Sequence, residues 1–236
     1  NWWPGPDDAM VSLMNRSIDL MEGHANASDN RFLMNRRGYL FATSDMKRVE
    51  DFEAQALEAQ SLGAGPLRWI GNGETYVPAA PAGFDGALDG ADLITDRSLI
   101  DEHFPYLNPA TVAVLHARRC GSLSAQQLGM YLLEEARSKG VEFRTAAFAG
   151  IETSGGSVSG VRLRTEAGQE VVDCAALVLS PGPYLKETAA LAGTDLPVQV
   201  EKHIKISLPD PEGAVPRTAP LIIWTDPTDL PWSAEE

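Results

Sequence analysis

Between Ser124 and Gly140 the apolar residues Leu128, Leu132, Leu133 and Ala136 recur at three- and four-residue spacing, which predicts a helix with one apolar stripe. Ser124 and Gln127 stand three apart at its start, as in a capping box, and Lys139-Gly140 supplies a cation and a flexible residue at its end. A second helical spacing, Met10, Leu13, Met14, Ser17, Ile18 and Met21, follows the potential caps Asp7 and Asp8. Its methionines are expected in core packing. A third follows Asp45, with Val49, Phe52, Ala56 and Leu57 inward and an end near Gly63. Short helices are predicted over 95–103 and 184–192.

Alternation with period two predicts strands elsewhere. Val141-Glu-Phe143 follows the Gly140 stop, and 149–153, 158–165 and 169–173 form a meander whose turns are Ser154-Gly155-Gly156-Ser157 and Glu166-Ala167-Gly168. Residues 175–179 are apolar without a break, the pattern of a strand covered on both faces in a parallel sheet. Further strands are predicted over 32–43, 111–119, 196–208 and 221–225. In 111–119, Val112, Val114 and His116 share one side and Ala113, Leu115 and Ala117 the other. In 196–208 the even positions, Val198, Val200, Ile204 and Ile206, are apolar, while His203 and Lys205 lie on the polar face. Residues 63–90 are rich in Gly and Pro, with Trp69 and Tyr76 as an aromatic patch, and read as one long loop.

Composition narrows the classes. The chain has 236 residues, 44% hydrophobic and 22% charged, enough to bury a large core. A net charge of −14 argues against nucleic acid and anionic membranes as partners, because their phosphates call for clustered Lys and Arg. No apolar run approaches the roughly 20 residues of a membrane-spanning helix, and no signal peptide is evident. Cys120 and Cys174 are the only cysteines, no disulfide framework, which suits a reducing, cytoplasmic location. The sequons at Asn15 and Asn26 are read as chance. The opening Asn1-Trp2-Trp3-Pro4 and the closing Ser233-Ala234-Glu235-Glu236, which reads as the start of a helix, suggest a piece of a longer protein.

The residues 120–183 carry a resemblance. Gly121-Ser122-Leu123-Ser124-Ala125, the helix, the Gly-ended stop, the meander, Leu179-Ser180-Pro181-Gly182-Pro183 and the later Leu196-Pro197-Val198 are together similar to the FAD-dependent oxidoreductases of the D-amino-acid oxidase, sarcosine oxidase and glycine oxidase type. Ala125 stands where that family has Pro, and Ser180-Pro181 where it has small residues. The resemblance implies an α/β and α+β fold: a partial, Rossmann-like FAD-binding domain (residues 1–34 and 116–195) interleaved with an antiparallel-sheet substrate domain (35–115 and 196–236). It implies FAD as cofactor and an amino acid or secondary amine as substrate, oxidised at its C–N bond by hydride transfer to flavin. Phe148 corresponds to a family position whose backbone contacts the adenine side. Gly182 and Pro183 would lie beside the flavin phosphates or ribityl chain. The alternatives are a flavin dehydrogenase of a 2-hydroxy acid or glycerol phosphate on the same scaffold, and a non-catalytic binding domain.

The dinucleotide cradle Gly-x-Gly-x-x-Gly is missing: Gly63-x-Gly65 has Arg68 at the sixth position and Gly71-x-Gly73 has Tyr76. The piece alone is therefore expected to hold FAD poorly and to be inactive. His203 and Lys205 are the leading candidates for a substrate carboxylate, with Arg37 beside Arg36 a further one; solvated surface is the competing reading for each. His116, on an apolar side, is read as a core histidine. His24, His103, His116 and His203 lack metal-ligand spacing, and no nucleophile elbow occurs.

Overall fold

The computed structural model describes residues 1–3, 5–71 and 74–228. It has a mixed α/β architecture with two sheets. The chain divides into two units, Asn1–Ala136 with Asp210–Glu236, and Arg137–Pro209. The closing Ser233–Glu236 stretch and Gly73 lie outside the described residues.

The first unit is built on a five-stranded sheet of order β2-β3-β4-β1-β8. Its strands are β1 (Tyr39–Thr43), β2 (Leu67–Ile70), β3 (Ala91–Ile94), β4 (Ala113–Ala117) and β8 (Leu221–Trp224). The β3–β4 and β4–β1 pairs run antiparallel, and the outer pairs β2–β3 and β1–β8 run parallel. Alternation sends Leu40, Ala42, Val114 and Ile94 to one face, where they pack with Ile100 of α3 (Arg97–His103), Phe104 and Tyr76. Leu93, Leu115 and Ala91 point to the other face, against Phe52 and Ala56 of α2 (Arg48–Ser61), with Phe41, Trp69 and Trp2 alongside. Helices cover both faces, so β3 and β4 are buried at every residue.

Local chemistry sets the helix ends. Asp96 accepts from the N–H groups of Ser98 and Leu99 (2.8 and 3.4 Å) and starts α3. Asp45 accepts from Lys47 N–H ahead of α2, and Asp7 from Ala9 N–H at the start of α1 (Ala9–Ala27). The inward face of α1 is carried by Val11, Ala25, Ile18 and Met21, whereas Leu13, expected inward, is 54% exposed. The strand expected from residue 32 begins only at Tyr39, because Asn30 and Leu33 adopt positive φ and the 32–38 segment pairs irregularly with 120–124. The expected loop of 63–90 contains β2 and adjoins β3. Its strands are short, and β3 carries a buried acid, Asp92, that breaks the apolar run.

The second unit contains the meander β5 (Ala147–Ser154), β6 (Ser157–Thr165) and β7 (Gly168–Asp173), close to the predicted segments. The helix α4 (Ala125–Ser138) precedes it, Ser124 Oγ accepting from Gln127 N–H at 3.3 Å. A short 3₁₀ turn, Gly182–Tyr184, leads into α5 (Leu185–Leu191). The strands expected over 141–143, 175–179 and 196–208 do not form: these segments have no sheet partner among the described residues. An extended segment becomes a strand only by pairing, whatever its apolar pattern. Val178, Ile204 and Ile206 are accordingly exposed.

Candidate functional site

Where β1 begins and β4 ends, two backbones approach so closely that side chains are excluded. Asn35 N–H donates to the Ser122 carbonyl (2.9 Å), Gly38 N–H to the Cys120 carbonyl (2.9 Å) and Ser124 N–H to the Phe32 carbonyl (2.7 Å). A Cβ on Gly121 would collide with the Asn35 carbonyl, and one on Gly38, at φ +91°, with the His116 ring. Gly121, the first residue of the turn singled out in the sequence, is thus required by close approach.

Cavities flank this crossing. One of about 320 Å³ is lined by Trp2, Met14, Met34, Arg36, Arg119 and Cys120, and one of about 240 Å³ by Arg37, Gly121, Ser122 and Pro220. Their arginines already have partners. Arg36 donates to the Leu88 carbonyl (2.6 Å) and the Asp89 carboxylate (2.5 Å), and Arg119 pairs with Asp19. Arg37 donates from Nε to the Pro81 carbonyl (2.8 Å) and from a terminal nitrogen to the Arg217 carbonyl (2.7 Å), tying two loops to the start of β1. Burial pushes the Cys120 thiol up, so it stays protonated and a poor nucleophile.

Beside the crossing lies a buried polar network absent from the sequence reading. His116 and Asp92 are cross-strand neighbours, and Arg118 follows His116 by two on the same face. Arg118 donates to Asp92 at 3.0 Å and Arg68 to its other oxygen at 2.5 Å. His116 Nε2 lies 2.7 Å from the Arg37 carbonyl and must donate there, which makes Nδ1 an acceptor for Tyr76 O–H and Arg118, both at 3.0 Å. Burial, with Arg118 adding to it, lowers the His116 pKa to about 3, so the ring is neutral. Burial also raises Asp92, against the pull of Arg118 and Arg68. The core reading of His116 therefore stands. The signal that could have found the network is a lone acid inside the apolar run Ala91-Asp92-Leu93-Ile94.

The other sequence-selected residues lie in the second unit. Phe148 is half-buried on β5, opposite Leu163, next to a register shift. Gly182 has φ +59° and open space where a Cβ would stand, and Pro183 is exposed. His203 and Lys205 lie on an exposed segment without regular structure, His203 Nε2 being 3.8 Å from a Glu201 carboxylate oxygen. No cluster of metal-ligating side chains occurs among the described residues. No helix of the described residues is long and apolar enough to cross a membrane.

The turn, helix and meander thus follow one another as the sequence resemblance requires, and the sequence model of one family, FAD dependent oxidoreductase (DAO), matches residues 1–231. The chain belongs to this family of FAD-dependent oxidoreductases. Solved structures with the family fold include L-proline dehydrogenase from P. horikoshii, with a TM-score of 0.63 and 18% identity over 93% of this chain and 51% of that one. Glycine oxidase from Bacillus cereus ATCC 14579 has a TM-score of 0.58 and 14% identity, over 80% of this chain and 45% of that one. L-Amino acid deaminase from Proteus myxofaciens, solved with anthranilate, has a TM-score of 0.56 and 19% identity, over 83% and 38% respectively. A comparison with curated proteins returned no match. The chain therefore spans about half the length of the first of these structures, and less of the others.

FAD is the cofactor of the family. Gly182 leaves its backbone accessible at the entry to α5, and Phe148 presents a half-buried ring. Neither is backed by a Gly-x-Gly-x-x-Gly cradle, which this chain does not contain.

Proposed function

We propose that this chain is the central part of a cytoplasmic FAD-dependent oxidoreductase acting on the C–N bond of an amino acid or secondary amine. The observation that carries the reading is the family match over 1–231, supported by the Gly121 crossing and the meander that follows it. Bound flavin would supply a two-electron acceptor for the hydride beside the amine nitrogen, leaving an iminium ion that becomes the imine on loss of its N–H proton. Phe148, Gly182 and Pro183 are the cofactor-facing residues in this reading. His203 and Lys205 offer exposed positive or polar groups to a substrate carboxylate. Arg37, in the first unit, is a separate candidate for a carboxylate, with two of its donors already taken by loop carbonyls. Residues 1–34 with 116–195 are assigned to the cofactor domain and 35–115 with 196–236 to the substrate domain.

The test is spectroscopic. The intact protein is purified and titrated with FAD, and the loaded form is mixed anaerobically with N-methyl amino acids or with 2-hydroxy acids. Bleaching of the flavin by the amines is the expected outcome. Bleaching by hydroxy acids alone would move the assignment to a hydroxy-acid dehydrogenase. Failure of the intact protein to take up flavin would leave a non-catalytic binding domain.

A further inference from the structure

A cavity of about 350 Å³ lies outside the crossing, between the C-terminal end of α3, the 76–79 segment and residues 216–220. Four rings, Tyr76, His103, Phe104 and Tyr106, line it together with prolines from all three segments. Tyr76 and His103 have centroids 4.7 Å apart with planes at 47°, Tyr76 and Phe104 are 5.4 Å apart at 65°, and Phe104 and Tyr106 are 6.3 Å apart at 82°. Successive rings are therefore tilted instead of stacked flat, with Tyr76 and Phe104 buried in the core and His103 and Tyr106 partly exposed beside the concave space. Glu102 adds a carboxylate to the lining.

The walls are fixed from behind. Tyr76 is buried and donates to His116 Nδ1, and the Arg118 guanidinium already rests 5.5 Å from its ring centroid. That cation is matched by Asp92 at 3.0 Å, so the cavity does not face an uncompensated positive charge from this side. Burial raises the Tyr106 hydroxyl to about 12 and Tyr76 further, so both phenols stay neutral at any working pH. Rings set at steep angles, neutral phenols and one carboxylate are the chemistry that recognises an alkylated ammonium group: its charge is diffuse, and it attracts ring faces without needing hydrogen bonds.

We propose that this cavity binds a methylated ammonium group through Tyr106, His103 and Glu102, on a floor of Tyr76 and Phe104. The cavity lies within the segments assigned to the substrate domain, but none of its residues is among those named for cofactor or substrate, and its test needs no flavin. The same headgroup occurs in free small molecules such as choline and in a trimethylated lysine side chain, and the test separates them.

Binding of tetramethylammonium to the purified protein is measured by calorimetry without added flavin, with the neutral isostere 2,2-dimethylpropane-1-ol as control. Saturable binding of the cation is expected, about three- to tenfold weaker in Tyr106→Leu and in Glu102→Gln, and unchanged in Glu58→Gln. Circular dichroism on each variant verifies folding. Choline and a trimethyllysine peptide are compared next, the tighter of the two identifying the natural source. Equal binding of the neutral alcohol would reduce the cavity to an apolar gap and overturn the proposal. So would affinity unchanged in the folded Tyr106→Leu and Glu102→Gln variants, or no binding at all.

Discussion

The five-stranded sheet and the three-stranded meander draw on the same alternation of apolar and polar residues but bury it to different extents. In the sheet, β3 and β4 are inaccessible along their whole length. In the meander, β7 is exposed at every position but one, and Ala189 is the only fully buried apolar residue of the second unit among the described residues. Period two gives a strand its two faces, but whether either face is covered depends on what packs against it. The sheet has α2 and α3 on opposite sides, whereas the meander holds mainly through its ladder hydrogen bonds and cross-strand pairs.

The glycines offer the sharpest way to break this contrast. Gly38 and Gly182 both have positive φ, but a Cβ on Gly38 meets the His116 ring while one on Gly182 meets nothing. Gly38→Ala is expected to abolish cooperative folding of the first unit or cost well over about 4 kcal/mol, and Gly182→Ala to cost only the backbone strain of about 1–2 kcal/mol. Chemical denaturation measures both. Comparable losses would mean that the open surroundings of Gly182 are not its state in solution.

Core truncation comes next. Leu115 is fully buried between Leu93 and α2, and Leu115→Ala should cost about 2–5 kcal/mol by lost transfer energy and cavity formation. Val161, half-buried on β6, has less to lose, and Val161→Ala should cost below about 1 kcal/mol. Hydrogen exchange would sharpen the same point: amides of β3 and β4 should outlast those of β7.

The remaining expected effect is a slope. His116 titrates near 6.5 when unfolded and at about 3 when folded, so between these values the unfolded chain binds the extra proton. Its contribution is complete above pH 6.5 and declines as pH falls toward 3, at about 1 kcal/mol per pH unit. Asp92, raised by burial above the ordinary carboxylate range, works in the opposite direction. The informative measurement is therefore the difference in slope between the wild type and His116→Gln between pH 6.5 and 5. Identical slopes would show that His116 is not held neutral by its surroundings.

Much of the cofactor-class assignment was legible because it rests on local order: the cap at Ser124, the Gly140 stop, and the glycine turns of the meander each follow from a few neighbouring residues. β2 was hidden inside an apparent loop and β3 just beyond it, since four-residue strands give little periodicity and Asp92 looks wrong for a core until Arg68 and Arg118 are brought to it. The reverse error occurred at 175–179 and 196–208, where a convincing apolar pattern met no partner strand among the described residues. Arg37 was read as a candidate for binding a carboxylate, and nothing in its neighbours along the chain foretold that carbonyls from residues 81 and 217 would converge on it.

The amino-acid order alone determined the helices with their caps, the meander with its turns, and membership of a flavin-dependent family, because these depend on interactions within a few residues. Tertiary structure decided which apolar faces are covered, why Gly38 and Gly121 must lack a Cβ, and how a histidine, a tyrosine, an acid and two arginines come to bond to one another. Those outcomes depend on contacts between residues tens of positions apart, and a buried polar group becomes tolerable only when such distant partners arrive together.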